Sequence, residues 1–231
     1  MSTDTSDLPS SKLGTKSHWD DVYANELSNF EEIGDEGEIW FGEDSIEKMV
    51  EWVQDYIPIS PTPSILEIGS GNGTLLFAIS QAGYDPTHIF GVDYSEDAIK
   101  LSRSIGVTRG EGSELIRFEV CDFLQDVPRG EDGQEEWDLV LDKGTFDAMA
   151  LAEKDEHGRS PADGYPSRVG KVVKREGFFL IVSCNFTEDE LKEKFANSET
   201  GLEYHSNIKF PSFAFGGHSG NVYSSIALRK P

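Results

Sequence analysis

Ile65-Leu66-Glu67-Ile68-Gly69-Ser70-Gly71-Asn72-Gly73-Thr74 is the stretch whose reading decides the fold. An apolar strand runs through an acidic residue into Gly-x-Gly-x-Gly. An apolar-periodic segment, residues 74–81, then reads as a helix. Glycine frees the backbone and removes a Cβ that would block a close ligand. The helix that follows aims its free N–H groups back at the turn. Strand, glycine turn and helix together predict a nucleotide-type cofactor site at the carboxyl end of the first strand of an α/β sheet. A tight turn with no ligand is the plainer alternative. Three glycines in five residues weigh against it, because they weaken an element unless the backbone needs close approach.

Two details select the cofactor. A dinucleotide turn has the spacing Gly-x-Gly-x-x-Gly. Here Thr74 occupies the third glycine position, and a glycine comes one residue early, at Gly73. Glu67 also lies at the strand end, where it would repel a pyrophosphate. A carboxylate suits a ligand with positive groups, and S-adenosylmethionine carries a sulfonium and an α-ammonium. Glu67, Gly69, Ser70, Gly71, Asn72 and Gly73 are therefore expected to bind S-adenosylmethionine.

The chain has 231 residues and 37% apolar content, enough for one sizeable α/β core. The apolar runs are too short for a membrane span. Residues 1–11 are polar and do not read as a signal peptide. The two cysteines and five histidines show no metal-ligand spacing, so no metal is expected. Cysteines without an export signal read as reduced thiols, and the expected location is cytoplasmic. The net charge of −23 argues against nucleic acid and membrane surfaces as partners, and it favours a basic protein. Simple solubility is the blander meaning of that charge.

Along the chain, residues 1–16 read as a disordered tail and 17–231 as one domain. That domain divides into a helical extension, 17–63, and a catalytic core, 64–231. Helices are expected over residues 17–27 and, capped by Ser45, up to residue 56, with an acidic loop over 31–38. Strands are expected at 64–68, 88–93, 117–121, 137–142 and 177–183, with helices at 74–81, 95–104, 167–175 and 188–195, the last capped by Thr187. Residues 204–208 and 222–229 read as closing strands, and 106–114 and 127–136 as loops. Such alternation predicts a Rossmann-like α/β fold: a seven-stranded sheet with helices on both faces and an antiparallel last strand.

Further site residues follow from strand ends. Asp93 lies about 20 residues beyond the glycine turn, where an acidic residue takes ribose hydroxyls. Asp122 and Phe123 end the third strand, placed to meet an adenine ring. Asp142 ends the fourth strand within Leu141-Asp142-Lys143-Gly144-Thr145-Phe146-Asp147, at the substrate edge of the sheet, where it is expected to touch the cofactor's amino-acid moiety or the incoming amine. A carboxylate that close to the core needs a partner. Asp147, five residues on, reads as a supporting or helix-start residue.

At this level of detail the chain resembles the elongation factor 1-alpha lysine methyltransferases, a branch of the class I, seven-β-strand methyltransferases. The resemblance rests on Trp19-x-x-x-Tyr23, on Gly37-Glu38-Ile39-Trp40-Phe41-Gly42-Glu43, and on the glycine turn. It continues through Gly91-Val92-Asp93-Tyr94-Ser95, Asp122-Phe123-Leu124 and Asp142-Lys143-Gly144-Thr145-Phe146-Asp147-Ala148. Ser183-Cys184-Asn185-Phe186-Thr187 and Phe213-Ala214-Phe215-Gly216-Gly217-His218-Ser219-Gly220-Asn221 complete it. Phe186 replaces an expected tryptophan and His218 an expected arginine. The Asp-x-x-Tyr of another lysine methyltransferase group is absent, with Thr145 as its fourth residue.

The resemblance implies an S-adenosylmethionine-dependent monomer acting on a lysine of elongation factor 1-alpha. It adds Tyr94 to the cofactor set and implies that Asp142, Trp40 and Phe186 serve catalysis. Trp40, Phe41, Phe186, Phe213 and Phe215 are the aromatic candidates for a lysine channel, by cation–π contact. Each is equally well read as core packing. The competing readings are a methyltransferase of this fold acting on another protein or a small molecule, and a non-catalytic scaffold.

Overall fold

The computed structural model describes residues 8–130, 133–215 and 218–231, with the backbone alone over 212–215 and 218–221. Strands β1 (Ile65–Ile68), β2 (Ile89–Asp93), β3 (Arg117–Val120), β4 (Trp137–Lys143), β5 (Val173–Ser183), β6 (Glu203–Ser206) and β9 (Ser224–Arg229) form one sheet in the order β3-β2-β1-β4-β5-β9-β6. β1 pairs in parallel with β2 and β4, and β9 runs antiparallel to β5 and β6. The chain order reverses direction between β1 and β4, which opens a crevice at their carboxyl ends.

β1 is buried at every residue, as expected of a central strand with both faces covered. Side chains alternate between two apolar layers. Ile65, Leu139 and Leu141 point to the layer with Met49, Trp52, Leu75, Phe77 and Phe118. Leu66, Ile68 and Val140 point to the layer with Phe146, Tyr165, Phe179 and Phe195. Helices α2 (Gly42–Tyr56), α3 (Thr74–Gln81) and α4 (Glu96–Arg109) cover the first face. Helices α5 (Thr145–Ala150), α6 (Tyr165–Val172) and α7 (Glu188–Phe195) cover the second. The expected sheet, its antiparallel closing strand and the Thr187 cap are all present.

The differences have local causes. Helix α1 spans Lys16–Ile33, running through the expected acidic loop until Gly34 stops it in a left-handed conformation, φ 76°. Ser45 does not cap α2. The helix starts three residues earlier behind Phe41, and the buried Ser45 hydroxyl donates to Gly42 O at 2.8 Å. Helix α4 continues to Arg109, and β5 begins at Val173, where a helix was expected. Within the last stretch that carries the resemblance, β7 (Ser212–Phe215) pairs antiparallel with β8 (His218–Asn221).

The tail expected to be disordered falls partly on residues 1–7, outside the described residues. From Leu8 onward it is structured. Lys12–Gly14 forms a 3-10 turn capped by the Ser11 side chain. Ser11 N donates to Leu151 O at 3.0 Å, and the Trp19 indole donates to Leu13 O at 2.7 Å. Gly14 makes this docking possible, because a Cβ there would lie 2.2 Å from the Leu151 and Ala152 backbone. Gly14→Ala is therefore expected to lift the turn off α5 while the sheet remains folded. Trypsin should then cut after Lys12 before any cut in the core, with far-ultraviolet circular dichroism unchanged. Equal resistance of variant and parent would show that the turn tolerates the added methyl group.

Candidate active site

The glycine turn joins β1 to α3. Gly69, Gly71 and Gly73 have φ of 69°, 53° and 80°, a region open to glycine and strained for other residues. The turn is closed by Gly69 N and Ser70 N, which both donate to Val92 O at 2.8 and 2.9 Å. The space each missing Cβ leaves is filled by protein. It would meet Thr145 Oγ1 at 2.1 Å from Gly69, the Tyr23 hydroxyl at 2.4 Å from Gly71, and the Phe118 ring at 2.7 Å from Gly73. Gly73 thus faces the core beneath α3 and does not border the cavity, a correction to its expected cofactor role.

A cavity of about 230 Å³ lies over the strand tips. Gly69, Ser70, Gly71, Asn72, Asp93, Tyr94, Asp122 and Trp40 line it, as the sequence led us to expect. Asp93 Oδ2 accepts from Gly71 N at 3.1 Å, and Oδ1 accepts from Ser95 N at 2.9 Å. Each oxygen keeps a further lone pair for a ligand. Burial raises the Asp93 carboxyl to about 6, against the pull of those two N–H groups. Asp122 caps its own turn, accepting from Leu124 N at 3.1 Å. Asn72 reaches outward, and its amide donates to Glu36 O at 3.0 Å, fastening the segment before α2 over the cavity.

Four expected residues lie elsewhere or carry a different load. Glu67 sits under the turn rather than on the cavity wall, 2% exposed, with Oε2 lacking a hydrogen-bond partner. Burial pushes its carboxyl well up, and the nearby Lys143 ammonium opposes this. Phe123 packs edge-on against Tyr165 at 5.4 Å, inside the second apolar layer. Phe186 packs on Phe146 at 4.8 Å in that same layer, so the expected channel role does not hold. Phe41 stacks on Tyr223 at 4.7 Å. The side chains of Phe213, Phe215 and His218 lie outside the described residues.

Asp142 is the largest correction. It is 0% exposed and faces away from the cavity. Its Oδ1 accepts from Thr145 N at 2.9 Å, and its Oδ2 accepts from Phe146 N at 3.1 Å and from the Tyr165 hydroxyl at 2.5 Å. It caps α5 and ties it to α6. Asp147 is likewise structural, accepting from Ser183 Oγ at 2.7 Å and Asn185 N at 2.9 Å. The cavity wall next to Asp142 is supplied by Lys143, with Lys16, Trp19 and Tyr23 of α1 nearby. Strand alternation was the signal that could have found Lys143: of the Asp142–Lys143 pair, it alone shares the face of Glu67.

The site fits S-adenosylmethionine on its own chemistry. Glu67 Oε2 and Ser70 Oγ are buried polar atoms without partners at the turn. Acidic groups face the ribose and base positions, and a cation faces the far end. Among the described residues no cluster of three or more His, Cys, Asp or Glu could hold a metal, and no helix is long and apolar enough to cross a membrane.

Residues 59–224 match a family model described as a methyltransferase domain. The chain is 41% identical to protein-lysine N-methyltransferase efm4 of Schizosaccharomyces pombe, over 97% of this chain and 96% of that protein. It is 40% identical to EEF1A lysine methyltransferase 2 of Homo sapiens, over 95% and 87% of the two chains. Among solved structures, the CcbJ methyltransferase of Streptomyces caelestis superposes with a TM-score of 0.59 at 14% identity, covering 90% of this chain and 98% of that one. Magnesium protoporphyrin IX methyltransferase of Synechocystis, with bound SAM, superposes with a TM-score of 0.58 at 13% identity, covering 90% and 97%. These structures share the fold.

The structural role of Asp142 has a testable sign. Burial raises its carboxyl to about 7, above the unfolded value of 3.8. The folded protein then holds a proton that the unfolded chain releases. The associated stability is full below about 4 and is lost as pH rises through 7. Asn keeps acceptor and donor capacity without charge. Asp142→Asn should therefore gain thermal stability relative to the parent as pH rises from about 4 to about 7, with no further gain above that. Asp142→Ala orphans three buried donors and should cost about 2–4 kcal/mol at pH 7. Melting curves across that range check both, and a pH-independent difference for Asp142→Asn would refute the assignment.

Proposed function

The chain belongs to the methyltransferase-domain family, in the group of efm4 and EEF1A lysine methyltransferase 2, and from that membership we infer that it methylates a lysine of elongation factor 1-alpha with S-adenosylmethionine as donor. The observation that carries the cofactor reading is the row of groups along the strand tips: Asp122 at β3, Asp93 at β2, the glycine turn at β1 and Lys143 at β4. In this reading Asp122 meets the base and Asp93 receives the ribose hydroxyls. The bound cofactor supplies a methyl group made electrophilic by its sulfonium.

The protein's task is then to present a neutral amine in line with that methyl group and to keep water away. A free lysine has a pKa of ~10.4, so roughly one in a thousand is neutral at pH 7. Desolvation at the cavity and the neighbouring positive charge both lower that value. Trp40 is the aromatic surface that supports this role. Its half-buried indole borders the cavity and meets Trp19 edge-on at 4.8 Å. Carboxylates serve recognition and proton escape here, since one held against the amine would raise its pKa.

The same reading takes the protein as a cytoplasmic monomer that engages neither nucleic acid nor membrane. The net charge of −23 argues against nucleic acid and membrane surfaces, and it favours docking of a basic folded partner.

Incubation with tritiated S-adenosylmethionine and elongation factor 1-alpha should label a lysine of that protein, and the rate should fall as salt rises. Label confined to other proteins or to small molecules would move the reading to another methyltransferase of this fold. Asp93→Ala should weaken S-adenosylmethionine binding about 10- to 100-fold in calorimetry, the scale of a lost charge-assisted contact. Unchanged affinity in a folded variant would remove Asp93 from the ribose site.

A further inference from the structure

Lys143 is the last residue of β4, paired with Val182 of β5. It follows Asp142, so strand alternation turns it to the opposite face. The β1–β4 register sets Glu67 beside Leu141, two residues before Lys143, and Glu67 and Lys143 therefore share one face at the glycine turn. Lys143 lines the cavity next to Gly69 and Ser70.

Its hydrogen bonding is incomplete. An ammonium has three donors. Among the described residues Nζ makes one hydrogen bond, to Trp40 O at 3.2 Å, while burial pulls its ammonium down and the nearby Glu67 and Asp142 carboxyls oppose this. Lys16, the other cation on the wall, is committed. Its Nζ donates to both Asp20 oxygens at 2.7 and 2.8 Å, and it stands over the Tyr94 ring, at the ribose end. The turn end therefore holds one cation with free donors, and the turn buries two polar atoms without partners, Glu67 Oε2 and the Ser70 hydroxyl. That pattern is the complement of an amino-acid zwitterion, which brings a carboxylate and an ammonium together at one end.

We propose that Lys143 binds the carboxylate of the cofactor's amino-acid end, above the turn beneath which the Glu67 carboxyl lies. This rests on S-adenosylmethionine being the ligand of the cavity. It makes β4 a cofactor-binding strand through Lys143 rather than through Asp142. The contact also bears on the N-terminal extension. The same ammonium holds Trp40 O, so a carboxylate at Lys143 would stiffen the segment that carries the Trp40 indole.

The test is calorimetry on the full chain with three ligands: S-adenosylmethionine, its decarboxylated form and methylthioadenosine. The parent should prefer S-adenosylmethionine over the decarboxylated form by about tenfold or more. Lys143→Met should lose about 10- to 100-fold for S-adenosylmethionine and lose that preference, with methylthioadenosine binding held within about twofold. If Lys143→Met also impairs methylthioadenosine binding, the comparison is made in Lys143→Gln, which keeps a donor for Trp40 O. A preference that survives neutralisation of Lys143 overturns the proposal and leaves the cofactor reading standing. A parent protein that binds none of the three ligands overturns both.

Discussion

β1 and β4 lie side by side in a parallel register that sets Ile68 against Asp142, and much else in this molecule depends on that pairing. Side chains alternate with period two, so a shift of one residue would exchange the two faces. In the observed register the Asp142 carboxylate descends into the second apolar layer, where it caps α5 and binds the Tyr165 hydroxyl. Lys143 rises into the cavity on the face of Glu67. Adjacent residues of opposite charge are thereby assigned opposite duties, one to hold helices together and one to face a ligand. Thr145 joins the two halves of the arrangement. Its hydroxyl donates to Ile68 O at 2.8 Å and fills the space above Gly69.

The same packing sets the electrostatics. Glu67, Asp93, Asp142 and Asp147 are all buried carboxylates whose ionised forms are disfavoured by desolvation. They differ in compensation. Asp142 and Asp147 have their oxygens engaged by backbone and hydroxyl donors of the protein. Asp93 has two backbone donors and an open side on the cavity. Glu67 retains an oxygen with none. A fully satisfied buried carboxylate is a structural element, whereas a partly satisfied one beside a cavity is waiting for a ligand. That distinction separates the four without reference to any relative.

The fold was legible because its signals are local. Apolar strands, a Gly-x-Gly-x-Gly turn and helix patterns each show within about ten residues. Asp93 was legible for the same reason, being a strand end at a fixed distance from the turn. What escaped depends on partners distant in sequence. Phe186 and Phe123 are aromatic residues at strand ends, and only the α6 and α7 packing shows that they point inward. The Ser/Thr/Asp-rich tail reads as disordered by composition. Gly14 and the Leu151–Ala152 backbone, more than a hundred residues apart, nonetheless dock it. Asp142 was correctly read as needing a partner, but the partner is Tyr165 rather than a ligand.

The N-terminal extension is accordingly part of the site and not an appendage to it. Leu13, Gly14, Lys16, Trp19 and Tyr23 form one wall of the cavity, and Glu38 and Trp40 form another portion. Three ties from the core hold the segment between α1 and α2. The Asn72 amide donates to Glu36 O, the Arg109 guanidinium pairs with the Glu36 carboxylate, and Lys143 donates to Trp40 O. Two of those three residues, Asn72 and Lys143, also line the cavity. A ligand that engages them therefore acts on the segment through the same side chains, with no separate relay. Trp40 itself lines the cavity, so the segment and its indole belong to the same wall. A carboxylate at Lys143 and the Trp40 carbonyl would compete for, or share, the donors of one ammonium. Sharing is the geometrically cheaper outcome, because three donors meet two acceptors without either being displaced.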